Sequence, residues 1–212
     1  MKTVYFPGCG FGFWGALAKL FIILDTEKET HYKLYGTSCG SLICLVSLIK
    51  KKYQNFNTIF NIADRIRKEL SFPLNLYELS EKFIDELIKL IDHEKKIDNI
   101  YIQITIINNK FPFIHKKIKK PETLEDLKNM CLASTYIPIL SRKYPYIWTY
   151  YNDEIAIDGY ISDLFYSYDY DYIYRGPSIL IMPDENTCKL MFINSILKYN
   201  NYDLKNMVKY IL

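Results

Sequence analysis

Residues 32–46 read Tyr32-Lys33-Leu34-Tyr35-Gly36-Thr37-Ser38-Cys39-Gly40-Ser41-Leu42-Ile43-Cys44-Leu45-Val46. Tyr32 to Tyr35 has strand character and stops at Gly36. Ser41 to Ile49 is an apolar run with no breaker before Lys50, which reads as a buried helix. The stretch is therefore strand, sharp turn, helix, with Ser38 at the tip between Gly36 and Gly40. A G-x-S-x-G serine in that setting has the layout of a nucleophile elbow. Glycines stand where side chains would collide, and the hydroxyl projects above the sheet at a helix N-terminus, where the helix dipole and free N–H groups favour negative charge. The plainer alternative is a serine that caps a helix in a glycine turn.

The same alternation extends along the chain. Thr3 to Phe6 reads as a strand, Pro7 to Gly15 as a glycine-rich loop and Ala16 to Leu24 as a helix. Residues 56–71 read as a helix, and Leu76, Leu79, Phe83, Leu87 and Leu90 mark an amphipathic helix over 75–93. Ile100, Ile102, Ile104 and Ile106 alternate with Tyr101, Gln103 and Thr105, a strand with one drier face. Thr123 followed by Asp126 predicts a capped helix start, Glu154–Ile157 and Ser178–Met182 two further strands, and Asp203–Ile211 a terminal helix. The pattern predicts an α/β fold with a mostly parallel central sheet flanked by helices on both faces. Sites in such sheets form at the carboxyl ends of strands, so the glycine segments 7–15 and 36–40 open on one rim. The 212 residues, half of them hydrophobic and without a visible linker, fit a single domain over 1–212.

Composition narrows the function classes. The net charge of +3 is too small to argue for nucleic acid by itself, and Lys50–Lys52 and the 116–120 lysine run read as solvated loops or helix ends, with an anionic lipid surface as the alternative. Tyr144 to Tyr151 and Tyr166 to Tyr174 read as packed surface loops or as a lipid-facing rim. The five cysteines form no C-x-x-C pair, which suggests neither a zinc site nor a disulfide framework and fits a reducing, intracellular setting. Met1 to Val4 begins a strand pattern rather than a signal peptide, and the apolar run Trp14 to Leu24 is well short of the ~20 residues a spanning helix needs. The expectation is a protein that is soluble or peripheral to a membrane.

Acyl transfer at Ser38 needs donors for a tetrahedral oxyanion, and Gly8-Cys9-Gly10, just after the first strand, is the candidate segment. Phe13 breaks a G-x-G-x-x-G reading and no G-x-x-x-x-G-K-[ST] occurs, which speaks against a nucleotide loop. The base is less obvious. His31 precedes the serine, His93 ends the amphipathic helix and His115 lies among lysines, so none fits the usual serine–acid–histidine order. Asp158 ends the strand Glu154–Ile157 and is followed by Gly159, a placement that suits a base on the same rim and equally an ordinary Asp-Gly turn. Its reference pKa of ~3.9 needs burial or a neighbouring carboxylate to rise toward neutrality.

Three segments taken in order resemble the patatin-like phospholipase family, including adiponutrin-type lipases. Val4-Tyr5-Phe6-Pro7-Gly8-Cys9-Gly10-Phe11 is similar to the family's strand and oxyanion loop, and Tyr35-Gly36-Thr37-Ser38-Cys39-Gly40-Ser41-Leu42 to its elbow. Ala133-Ser134-Thr135-Tyr136-Ile137-Pro138, followed by Ile157-Asp158-Gly159-Tyr160-Ile161-Ser162-Asp163, resembles its A-S-x-x-x-P segment and Asp-Gly motif. The resemblance implies a three-layer architecture and a Ser38–Asp158 dyad without catalytic histidine. It also implies an oxyanion hole at Gly8, Cys9 and Gly10, phospholipid or neutral lipid as substrate and, as in most members, no metal or other cofactor. Gly12 replaces the family's usual basic residue, Phe13 its next glycine, and Tyr160 a small residue after Asp-Gly. The function implied is lipid acyl hydrolysis. The alternatives are a catalytically weak or inactive lipid-binding protein of the same fold, or a lipid acyltransferase.

Overall fold

The computed structural model describes residues 1–26, 32–70, 75–95, 97–108, 113–138, 149–165, 170–174 and 183–197. The strands are β1 (Lys2–Phe6), β2 (Tyr32–Thr37), β3 (Ile100–Ile107), β4 (Ile114–Lys119), β5 (Thr149–Tyr151), β6 (Glu154–Asp158) and β7 (Tyr172–Ile173). The helices are α1 (Phe13–Thr26), α2 (Cys39–Val46), α3 (Phe56–Glu69), α4 (Leu76–Ile88), α5 (Leu124–Thr135), α6 (Tyr160–Asp163) and α7 (Glu185–Leu197). The expected strand at Ser178–Met182, the terminal helix at Asp203–Ile211, His31, and residues 144–148 and 166–169 of the tyrosine-rich segments lie outside the described residues.

Alternation along β1 to β3 sends Val4, Phe6, Leu34, Ile100, Ile102, Ile104 and Ile106 to one face, where they join the apolar core. Every residue of α2 is buried, as befits a helix that is apolar all round. It packs on β1, β2 and β3 and is itself enclosed by α1, α4 and α5. Asn55 caps α3 through Thr58 N–H, Asn75 caps α4 through Tyr77 and Glu78 N–H, and Thr123 caps α5 through Asp126 N–H. Phe13 and Trp14, bulky residues just beyond the glycine loop, point into this core. Phe13 meets Phe83 edge-on at 5.9 Å, and Trp14 lies 5.4 and 5.5 Å from Phe56 and Phe60. They anchor the start of α1 to α3 and α4.

The fold is α/β, with two corrections to the expected architecture. The sheet runs β5-β6-β3-β2-β1-β7, with β4 also paired to β3, and it is mixed rather than mostly parallel. β1–β2, β1–β7 and β2–β3 are parallel, whereas β3–β4, β3–β6 and β5–β6 are antiparallel. The lysine run at 116–119 is thus an edge strand rather than a loop, its charges suiting an edge that must not recruit another chain. Lys117 pairs with Glu154, and Lys119 sits over the Tyr151 ring. Asn152 and Asp153, both at positive φ, make the two-residue turn of the β5–β6 hairpin.

The second correction concerns layering. Among the described residues, the long helices α1 to α5 and α7 all belong to the layer on the Val4/Leu34/Ile102 face. β1, β2 and β3 step in one direction across the sheet, and right-handed crossovers in one direction deposit their helices on one side. The other face presents Tyr5, Tyr35, Thr37, Tyr101, Gln103 and Thr105 and, among the described residues, carries only the short α6 and Tyr170.

Register decides what meets at the centre. β2 pairs with Ile100–Gln103, β6 with Ile104–Ile107, and β4 with Ile102–Ile107. A strand has two edges, so β4 must hold one while β2 and β6 share the other, end to end. Thr37 opposes Gln103 and Asp158 opposes Ile104, the next residue along β3. The end of β2 therefore abuts the end of β6, and Ser38 and Asp158 leave the sheet at one junction.

Candidate functional site

Ser38 stands at φ 54°, ψ −129°, a conformation non-glycine residues rarely adopt and one that costs roughly 1–3 kcal/mol. It occupies the N-cap position of α2, but its side chain makes no capping bond, so the hydroxyl is not spent on the helix. Its carbonyl accepts from Ser41 N–H at 2.9 Å and Ser41 Oγ at 2.6 Å, and its N–H donates to Ser134 Oγ at 2.9 Å. The flanking glycines are steric requirements. A Cβ on Gly40 would fall inside the Phe6 carbonyl, and one on Gly36 would strike the Gly40 carbonyl. The elbow is thus tight because α2 crosses directly over the ends of β1 and β2.

Asp158 is 2% exposed. Oδ1 accepts from Tyr160 N–H at 2.7 Å, and Oδ2 has no hydrogen-bond partner among the described residues. The Ser38 hydroxyl faces this carboxylate and favours its ionised form. Burial pushes the Asp158 pKa up to about 7, opposed by Ser38 and the Tyr160 amide and helped by the nearby Asp163 carboxylate. The same side chain that would be a poor base in water is thereby matched to neutral pH. Gly159 follows at an ordinary helical φ of −62°, and its need is again space, since a Cβ would strike the Gln103 carbonyl.

Of the glycine loop, Gly8 lies against the nucleophile: an added Cβ would come within 3.0 Å of Ser38 Cβ and 3.2 Å of Tyr160 Cβ. The Gly8 N–H makes none of the described backbone hydrogen bonds. Cys9 instead turns its N–H onto Cys39 Sγ at 3.2 Å, with the two sulfurs 3.1 Å apart. Gly10 takes φ 54° and its carbonyl starts the turn into α1. The three amides therefore do not converge equally, and Gly8 is the one placed beside Ser38. Tyr160, half-exposed, covers Gly8, and Leu164 and Phe165 beyond it are exposed.

Neither Ser38 nor Asp158 bonds to a histidine among the described residues. His93 lies in the turn after α4 and His115 on β4. The five cysteines are buried thiols, and no cluster of potential metal ligands occurs among the described residues. No described helix is long and apolar enough to cross a membrane.

The support of the site is built from residues that sequence reading gave no role. Gln103 Nε2 donates to Gly159 O at 2.8 Å, Ser162 Oγ at 3.1 Å and Asp163 Oδ1 at 2.6 Å. Thr105 Oγ1 donates to Asp158 O at 2.8 Å and accepts Ser162 N–H at 3.0 Å. Tyr5 bridges Thr37 and Asp163 through its hydroxyl. The visible signal was the polar half of the β3 alternation, Gln103 and Thr105, facing away from the isoleucines. Comparison with protein-family models and with curated proteins finds no match.

Proposed function

We propose that the chain is a serine-dependent lipid acyl hydrolase, cleaving carboxylic esters of phospholipids or neutral lipids through Ser38 and Asp158. The observation that carries the reading is the junction itself: an uncapped serine in a strained strand-to-helix turn, next to a buried aspartate whose pKa stands near 7. Asp158 takes the Ser38 proton as Oγ attacks the carbonyl carbon, and the amide of Gly8, the loop glycine packed against Ser38, serves as oxyanion donor. The proton passes to the departing alcohol or lysolipid, leaving an acyl group on Ser38. Water then attacks that ester with Asp158 again as base, releasing the carboxylic acid and restoring the serine. The apolar Tyr160, Leu164 and Phe165 beside the site suit an acyl chain, or contact with a lipid surface that supplies it.

A fluorophosphonate probe and a panel of p-nitrophenyl esters of increasing chain length test the reading. The expected outcome is covalent labelling and turnover that both vanish in Ser38→Ala. Labelling that persists in Ser38→Ala removes Ser38 as nucleophile. A wild-type protein that binds lipid vesicles but neither labels nor turns over points to a lipid-binding protein instead. Acyl transfer to an added lipid alcohol in preference to water points to an acyltransferase.

A further inference from the structure

We propose that Ser134 is the positioning residue of this site, a single clamp that fixes the nucleophile strand end against the base strand end. Ser134 lies in the last turn of α5 and is fully buried. Its Oγ accepts the Ser38 N–H at 2.9 Å and donates to the Gln103 carbonyl at 2.7 Å, so both its hydrogen-bonding capacities are directed. Its carbonyl accepts the Gly159 N–H at 3.3 Å, and two residues on the Tyr136 carbonyl accepts the Asp158 N–H at 2.7 Å. These are carbonyls at and just past a helix end, which have no partner within the helix. One residue therefore holds the amide of Ser38, the carbonyl of Gln103 on the strand shared by both partners, and the amide that follows Asp158.

Gln103 itself completes the arrangement, since its side chain holds the Gly159 carbonyl while its own carbonyl is held by Ser134. The Ser38 amide is the lever. The residue sits at positive φ with no side-chain capping bond, and the Ser134 hydroxyl is the fixed acceptor to which its N–H is tied. Without that acceptor the peptide is free to relax, and the hydroxyl swings away from Asp158. Ser134 itself touches neither substrate nor a reacting atom, so its loss slows the chemical step and leaves binding alone.

The kinetic arm of this proposal rests on the hydrolase reading; the amide-exchange arm does not. Ser134→Ala, Ser134→Cys and Ser134→Thr are compared with wild type by ester turnover, thermal midpoint and residue-resolved amide hydrogen exchange. In Ser134→Ala, kcat is expected to fall about 100-fold, as a displaced nucleophile does, with KM changed less than about threefold. Exchange at Ser38 speeds up while that of Leu34 and Tyr35 in the same strand does not. Ser134→Thr, which keeps the hydroxyl, restores most of kcat, and Ser134→Cys, a similar shape with a weak hydrogen-bonding group, lies between. Unchanged kcat in a folded Ser134→Ala, or equal losses in the Ala and Thr variants, overturns the proposal. If the Ala variant does not fold, the Cys variant decides by the same criteria. If wild type shows no turnover, the hydrolase reading fails by itself, and the exchange rate at Ser38 decides the clamp: unchanged exchange in Ser134→Ala overturns it.

Discussion

Ser38 and Asp158 each stand at a strand's end, each precede a helix, and each have a glycine nearby whose Cβ would meet a backbone carbonyl, yet the reactivity proposed for them has different origins. At the elbow the work is done by backbone geometry: a positive φ, a helix crossing directly over two strand ends, and a hydroxyl left uncapped. At the base loop the backbone is ordinary, with Gly159 at φ −62°, and the work is done by the medium, since burial moves the carboxyl toward neutrality. The first kind of activation is local and steric. The second depends on everything packed around the carboxyl group.

The largest effect expected from breaking this comparison is on the base side. Asp158→Asn removes the proposed proton acceptor and is expected to lower kcat/KM by about 10³-fold or more, within the range for a general base. In wild type, kcat/KM is expected to rise with pH through about 7 and level off above it, because in the proposed mechanism the ionised carboxylate is the base. Stability runs the other way. The folded pKa lies above the unfolded one, so the folded state holds the proton more tightly, and stability falls as pH rises from about 4 to about 7. Taking 3.8 to about 7 at ~1.4 kcal/mol per tenfold change gives on the order of 4 kcal/mol, a penalty that Asp158→Asn lacks at pH 8. Denaturant titrations at pH 5 and pH 8 check this; a wild-type midpoint with no pH dependence relative to the variant breaks the desolvation account.

The elbow side is tested through its glycines. Gly40→Ala puts a methyl into the Phe6 carbonyl, between elements that cannot separate without disturbing α2, and is expected to cost about 3 kcal/mol. Gly159→Ala meets the Gln103 carbonyl from the short α6, which has more freedom to shift, and is expected to cost about half that. Thermal unfolding of the pair measures the difference; a Gly159→Ala variant less stable than Gly40→Ala would reverse the assignment of crowding to the elbow. The smallest effect is remote. Thr123→Ala removes the cap that accepts Asp126 N–H at 3.0 Å at the start of α5, costing about 1 kcal/mol. Since Ser134 lies in the last turn of that helix, the sharpening result is a lower unfolding midpoint with turnover per folded molecule unchanged.

Much of the elbow was legible because its determinants are neighbours in the chain. Gly36, Ser38 and Gly40 lie within five residues, and the apolar run after them has no outlet but a buried helix. The Asp158-Gly159 pair was legible only as a candidate, since an Asp-Gly turn has the same local chemistry in any loop. Lys116, Lys117 and Lys119 misled because lysine disfavours strands locally, while the hydrogen bonds of the β3 edge supply a partner the local pattern does not reveal. Ser134 was visible as part of a motif but without a task, because its partners Ser38, Gln103 and Gly159 come from three other elements.

The sequence by itself determined the strand–turn–helix at Ser38, the cores of the main helices and the core-facing pattern of the first three strands, since sterics and periodicity act between near neighbours. The tertiary structure alone decided that β6 runs antiparallel to fill the edge of β3 beyond β2. It also decided that the long helices among the described residues share one face and that Asp158 is dry enough to hold its proton near neutral pH. Strand register and desolvation are set by groups remote in the chain, and their free energies exist only once those groups are packed together.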